Sequence, residues 1–251
     1  MIKINLDRYM PELSAMHSFY RYSEAALKDE GLRKQITEGE FETLFTIAHS
    51  FLKFDSGNRE KVEAIFRKEI RKKVSNEIER GLAVLRRLIL EASHSIFEKF
   101  LCHVVRVYLH TFPEILMDID KQVSFRTIVE IRDDTSLFDY VVEKEVDHFS
   151  RRSLQEKKDY LMKRLKHTHQ EKVWTENGEE LWKDIDKKRQ AIVHEEEIPE
   201  ISEDYLLRAI NHLQGIMIRM TIFAQVDQGV KFTWAEVSAL TKSREAPTLK
   251  S

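Results

Sequence analysis

The sequence predicts an all-α protein, and two observations carry this prediction. The 251-residue chain has only 7 glycines and 4 prolines, and charged residues make up 33% of it. This balance is typical of long helices and not of many-stranded sheets. In addition, apolar residues recur at steps of three and four through most of the chain, which is the period of an amphipathic helix. The apolar fraction of 42% is large enough to build a core.

Residues 1–78 are predicted to form an N-terminal helical extension. The first helix is expected to begin at Pro11, because proline is favoured in the first turn of a helix. Gly31 and Gly39 are expected to bracket a short charged segment, and residues 41–52 then follow a strong amphipathic pattern. After a turn at residues 55–58, a charged helix is expected to start near Arg59.

Residues 79–228 are predicted to form the main helical domain, and its first helix is expected over residues 82–109. Its buried stripe is predicted to comprise Leu85, Ile89, Ala92, Ile96, Phe100, Val104 and Tyr108. Phe112 and Pro113 should end this helix. Residues 124–131 are β-branched and stay open between a helix and a strand-like connection. Residues 133–136 offer an N-terminal cap for the next helix.

Three further segments complete the main domain. A charged helix is expected over residues 154–172, and Asn177 and Gly178 should break the chain before a helix over residues 179–194. Residues 203–225 are predicted to form the most apolar helix, which is buried on several faces or shared with a partner. Its apolar seam is predicted to comprise Leu206, Ile210, Leu213, Met217, Met220 and Ala224. Residues 229–251 are predicted to be a tail that is partly disordered.

The composition also limits where the protein acts and what it binds. Its single cysteine, Cys102, excludes an internal disulfide and fits a reducing compartment. The N-terminus lacks the apolar region of a signal peptide, and no apolar stretch is long enough to span a membrane. We therefore expect a cytoplasmic protein with no membrane partner. Because the net charge is −2, any contact with nucleic acid must be local.

Residues 189–194 carry the sequence Arg-Gln-Ala-Ile-Val-His. This segment resembles the R-x4-6-H signature of the HEPN superfamily, whose members are small all-helical domains that include metal-independent endoribonucleases. Residues 87–94 and 164–169 match the same spacing. The copy at residues 189–194 alone combines a polar second position, an Ile-Val pair and a following apolar helix. The resemblance covers about residues 80–225.

The resemblance implies a HEPN-like helical bundle that acts as a metal-independent endoribonuclease on single-stranded RNA. It also implies a homodimer in which two motifs line one groove, and a role as a prokaryotic toxin or antiviral defence effector. The corresponding partners are RNA, a second copy of the chain, and an antitoxin or defence-system protein. One position departs from the family, which most often has asparagine where this chain has Gln190.

The residue types of the motif suit cleavage of RNA without a metal or other cofactor. A histidine pKa of about 6.5 lies near the working pH, so His194 is the candidate acid and base. The planar fork of Arg189 can hold two phosphoryl oxygens, and Gln190 would orient the substrate or the histidine. The glutamates at 195–197 should favour the protonated form of His194. Candidate RNA-binding cations are Lys187, Lys188, Lys163, Arg164 and Lys166.

The spacing within the motif restricts how a site can form. A step of five residues turns a helix by about 500°, which separates Arg189 and His194 by about 140°. Either the helix ends between them, or the second half of the site comes from another copy of the chain. The surplus of apolar surface on residues 203–225 favours the second alternative, a site completed by another copy of the chain.

The sequence is compatible with two other functions. Glu91 with His94, and Glu145 with His148, have the Glu-x-x-His spacing of di-iron bundles. Such a site also needs an inward glutamate from each of two other helices, and the sequence offers no long helix for the second. The other alternative is a HEPN-like module that binds RNA, nucleotide or a protein partner without cutting.

Overall fold

The structure is a computed structural model that describes residues 3–51, 59–118, 136–163, 173, 176–194, 199–230 and 232–233. Its α-helices in those ranges are α1 (Leu6–Lys28), α2 (Glu30–Phe51), α3 (Arg59–Thr111), α4 (Leu137–Ser150), α5 (Leu154–Lys163), α6 (Glu176–His194) and α7 (Glu203–Gln228). Two short strands, β1 (Ile4–Asn5) and β2 (Phe232–Thr233), pair in parallel. The predicted all-α class is confirmed.

The helix α3 is the centre of the fold. Its 53 residues make it about 80 Å long at 1.5 Å per residue. Helices α1, α4, α6 and α7 all pack against it. The predicted helix over residues 82–109 is thus the later part of a longer one, which runs without a break through Gly81. A single glycine inside a helix costs only about 1 kcal/mol, and tertiary packing on both sides offsets that cost.

The beginning of the chain belongs to the same core as α3. Helix α1 begins at Leu6, so the prediction that it begins at Pro11 was wrong, and Pro11 lies inside the helix. Leu6, Tyr9 and Leu13 are buried with residues of α3 and α7, and this burial outweighs the hydrogen bond that proline cannot donate. The predicted boundary between residues 78 and 79 falls inside α3.

A second, smaller cluster joins α2 to the early turns of α3. Its buried residues are Phe41, Phe45, Ile70, Val74, Ile78 and Leu82. Phe41 and Phe45 stack with their ring centroids 5.1 Å apart. Gly31 and Gly39 lie inside α2, so the prediction that they bracket a separate segment was wrong. The buried phenylalanines of α2 stabilise one continuous helix despite both glycines.

Local signals placed several helix ends correctly. Helix α3 ends at Thr111, directly before Phe112 and Pro113, and the Ser136 side chain caps α4 by accepting a hydrogen bond from the Asp139 backbone N–H at 3.0 Å. Helix α6 instead begins at Glu176, so the predicted break at residues 177–178 was wrong. The first turn of a helix tolerates glycine there, because its N–H groups need no partner within the helix.

Helix α7 is covered by other helices of the same chain. Ser202 caps its start, and Gly229, with φ of 66°, ends it in the left-handed conformation. The predicted seam is buried: Leu206, Ile210, Leu213, Met217, Met220 and Ala224. Helices α1, α3 and α6 all pack against α7. Its apolar surface therefore has three neighbours within one chain and does not by itself require a second copy.

The remaining sequence predictions fall partly outside the described residues. The ambiguous segment at 124–131, the continuation of α5 to residue 172, and residues 234–251 of the tail lie there. Within the described part of the chain, no helix is both long enough and apolar enough to cross a membrane.

Candidate functional site

Helix α6 carries all three motif residues on one unbroken helix. It runs from Glu176 to His194, so the helix does not end between Arg189 and His194, and that alternative was wrong. With 3.6 residues per turn, the two side chains leave the helix about 140° apart. One small site cannot use both of them from a single copy of this helix.

The buried face of α6 contains the arginine of the motif. Trp182 and Ile185 are buried on this face, and Arg189 follows them at the same helical spacing and is half-buried. Gln190 and His194 are exposed. The sequence predicted that Arg189 and His194 leave the helix in different directions, without saying which of them faces the core. The structure separates an inner arginine from an outer glutamine and histidine.

The inner arginine lies near a histidine of α3. His94 is 1% exposed, and its Nε2 lies 3.5 Å from Oδ1 of Asp186, one turn before Arg189 on α6. The guanidinium of Arg189 is close enough for its charge to lower the pKa of His94. The motif arginine thus lies near the buried His94 of α3 within the same chain.

The guanidinium of Arg189 is buried on its inner side and open on its outer side. Its Nε is buried and has no hydrogen-bond partner, whereas its terminal nitrogens are not among the buried unpaired atoms of the described chain. None of these nitrogens forms an ion pair with a described residue. By contrast, Arg106 holds Glu143 through a pair of hydrogen bonds of 2.5 and 2.7 Å. A half-buried guanidinium with an open fork is suited to an anionic ligand.

The predicted RNA-binding cations differ in their surroundings. Lys188 pairs with Asp184 at 2.8 Å and lies over the Tyr205 ring at 4.8 Å, so its charge is engaged within the fold. Lys163 is exposed and lies 3.6 Å from Asp159. Lys187 is exposed on the same side of α6 as Gln190 and His194. Arg164, Lys166 and the glutamates at 195–197 lie outside the described residues.

Sequence analysis missed the contact of His94 with α6, although a signal for it exists. His94 is one of four α3 residues at the spacing of a buried helical stripe, the others being Leu90, Phe97 and Leu101, and all four are buried. A histidine among apolar residues at this spacing indicates a polar side chain that needs a partner inside the core. The predicted stripe followed a neighbouring face of α3 and left out this residue.

The two Glu-x-x-His pairs of the di-iron alternative do not converge in the described part of the chain. His94 lies against Asp186. Glu145 is buried on α4 and pairs with Arg152 at 3.4 Å. Among the described residues, no three histidines, cysteines or carboxylates come together as a metal-binding group. This alternative thus has no donor set among those residues.

Comparison of the chain with family models, with curated proteins and with solved structures found no match in any of the three. The HEPN relationship stays a prediction that depends on the motif residues and on the helices around them.

Proposed function

We propose that this chain is a metal-independent endoribonuclease that cuts single-stranded RNA by attack of the ribose 2′-hydroxyl. The observation that carries the proposal is the open guanidinium of Arg189, which has no ion-pair partner among the described residues. A charged group that is half removed from water costs free energy unless an opposite charge meets it. A phosphate of the RNA backbone supplies that charge in a geometry that the guanidinium fork matches.

Each motif residue then has a separate role in the reaction. Arg189 holds two oxygens of the phosphate at the cut site and stabilises the charge that develops there. His194 is exposed and exchanges the protons of the 2′-hydroxyl and the leaving 5′-oxygen. Gln190 lies on the same exposed side of α6 as His194 and orients either the imidazole or the ribose. Lys187 adds a positive charge for the strand.

The separation of Arg189 and His194 around α6 supports a site built from two copies of the chain. A two-fold axis beside α6 brings the arginine of one protomer to the histidine of the other. The apolar surface of α7 does not by itself support this dimer, because three helices of the same chain pack against it and Ile222 is its one exposed apolar side chain among the described residues. The support is the position of the motif residues on the two sides of one helix.

We expect RNA cutting to survive EDTA and to leave a 2′,3′-cyclic phosphate or a 3′-phosphate. The mechanism assigns every proton and charge to side chains, unlike a two-metal nuclease. The measurement is gel analysis of a labelled single-stranded RNA, with product ends identified by mass spectrometry. A matched RNA with a 2′-deoxy sugar at the cut position should stay intact, because the nucleophile is missing. Activity that EDTA abolishes and magnesium restores contradicts the mechanism.

We expect a homodimer in solution, with a mass of about 60 kDa, twice the 29.8 kDa of one chain. Light scattering at micromolar concentration measures this mass directly. A mixture of the Arg189→Ala and His194→Ala proteins should regain part of the cutting activity, since one of the two centres in a mixed dimer keeps both residues. A fully active monomer excludes the shared site.

A second candidate function is a helical module that binds RNA, nucleotide or a protein partner without cutting. The position of Arg189 and His194 on opposite sides of α6 favours this function if the chain acts as a monomer. The RNA assay separates the two functions, because a binding module retains the labelled RNA and leaves it intact.

If the chain is an endoribonuclease, it fits the role of a cytoplasmic toxin or antiviral defence effector. Its partner would then be an antitoxin or a defence-system protein.

A further inference from the structure

The contact between α3 and α6 contains a buried polar side chain beside the motif, His94. His94 is 1% exposed and is surrounded by the main core, yet its Nε2 lies 3.5 Å from a carboxylate oxygen of Asp186. The Asp186 side chain is 25% exposed, so the carboxylate lies at the edge of this core. His94 thus links the buried core beside α3 with the polar edge of α6, where Asp186 lies one turn before Arg189.

Three buried nitrogen atoms in this contact have no hydrogen-bond partner among the described residues. They are both ring nitrogens of His94 and Nε of Arg189. A neutral imidazole carries one donor and one acceptor. It can therefore donate to Asp186 and accept from the guanidinium at the same time. An arrangement in which Nε2 donates to Asp186 and Nδ1 accepts from Nε of Arg189 would give all three atoms a partner, and buried polar groups are rarely left unpaired.

The surroundings of His94 favour the neutral form that such a bridge needs. Burial is the largest influence, and it lowers the pKa of His94. The carboxylates of Glu98 on α3 and Asp186 on α6 oppose this shift, whereas the cations of Arg189 on α6 and Lys157 on α5 reinforce it. Glu98 and Lys157 also form an ion pair with each other. Near neutral pH the imidazole is therefore uncharged and does not repel the guanidinium.

We propose that His94 is a positioning residue for Arg189, which bridges Asp186 and the inner edge of the guanidinium so that the outer edge faces the ligand. Arginine has a long side chain with many rotamers, and an anchored Nε removes most of that freedom before the ligand arrives. A catalytic group that is held in place before the substrate binds accelerates the reaction more than a mobile one, because displacement by about 1 Å can lower the rate by about a hundredfold. This inference deepens the proposed function and rests on it.

The first test is spectroscopic and uses no RNA. The Arg189 Nε–H should give a slowly exchanging resonance in a proton–nitrogen spectrum of protein with isotope-labelled arginine, assigned by its loss in Arg189→Lys. We expect His94→Leu to abolish it, because leucine has neither donor nor acceptor. His94→Gln should retain it, because an amide supplies both. His103→Gln is the matched control, since His103 is also on α3 and its Nε2 either accepts from the Asn5 backbone N–H or donates to the Lys3 carbonyl. It should leave the resonance unchanged.

The second test measures RNA cutting by the same variants at equal folded concentration. His94→Leu should lower kcat by about tenfold to a hundredfold, and His94→Gln should restore at least half of the wild-type value. If His94→Leu does not fold, Asp186→Ala replaces it, since it removes the acceptor on the other side of the imidazole. An unchanged Arg189 resonance in His94→Leu overturns the inference. So does a lost resonance with undiminished cutting.

Failure of the inference and failure of the proposed function give different results. If Arg189→Ala cuts RNA as well as the wild type, the proposed function fails, while the resonance still reports whether His94 anchors Arg189. If Arg189→Ala is inactive and His94→Leu is fully active, the proposed function stands and the positioning role of His94 is excluded.

Discussion

Replacement of Arg189 by alanine is expected to lower the rate of RNA cutting by about 1000-fold, and replacement of His194 by about 100-fold or more. The arginine stabilises the charge of the transition state, for which comparable arginines contribute about 10³ to 10⁵ in rate. Proton transfer by a positioned histidine contributes about 10² to 10⁴. Initial rates on labelled single-stranded RNA provide the measurement.

Two kinds of control separate loss of chemistry from loss of the fold. His194 is exposed, so His194→Ala should change the free energy of unfolding by less than about 0.5 kcal/mol. Arg87→Ala is the matched control for Arg189→Ala, because Arg87 is also half-buried. Its guanidinium donates a hydrogen bond to the Ala83 carbonyl within α3, so its removal should leave the RNA-cutting activity unchanged. Arg164→Ala tests the other copy of the signature. Full activity of Arg189→Ala with an inactive Arg164→Ala or Arg87→Ala shows that another copy of the signature carries the site.

Replacement of Trp182 by alanine is expected to lower the free energy of unfolding by about 3–5 kcal/mol. Trp182 is 1% exposed, and its ring meets Phe97 edge to face with centroids 5.8 Å apart. Its removal leaves a cavity between α6 and α3 that the surrounding helices cannot fill. Urea unfolding followed by circular dichroism measures the change. Because Trp182 lies on the same face of α6 as Arg189, RNA cutting should fall as well.

A matched control for this stability change is Phe19→Ala. Phe19 lies on α1 and is 56% exposed, so its loss should cost less than about 1 kcal/mol. A loss of less than about 1 kcal/mol in Trp182→Ala contradicts the structure, since it means that α6 does not pack on α3 through this side chain.

Local residue patterns predicted the helical class and several of its details. The spacing of apolar residues identified α7 and its buried seam, Ser136 identified the start of α4, and Phe112 with Pro113 identified the end of α3. Each of these signals lies within a few residues of the feature that it determines. Local patterns failed at Pro11, Gly31 and Gly39, where contacts with distant helices stabilise a helix that those residues disfavour.

For the candidate site too, local patterns predicted some features and contacts between distant residues decided the others. The sequence by itself identified Arg189, Gln190 and His194 and, from the helical repeat, the separation of about 140° between the arginine and the histidine. Only the tertiary structure decided that Arg189 lies on the buried side of α6, that His94 of α3 lies beside it and next to Asp186, and that α7 is covered within one chain. The reason is physical. The helical repeat fixes the direction of a side chain around its own helix. His94 lies 95 positions away from Arg189 in the sequence, and the packing of α6 against α3 brings the two side chains together.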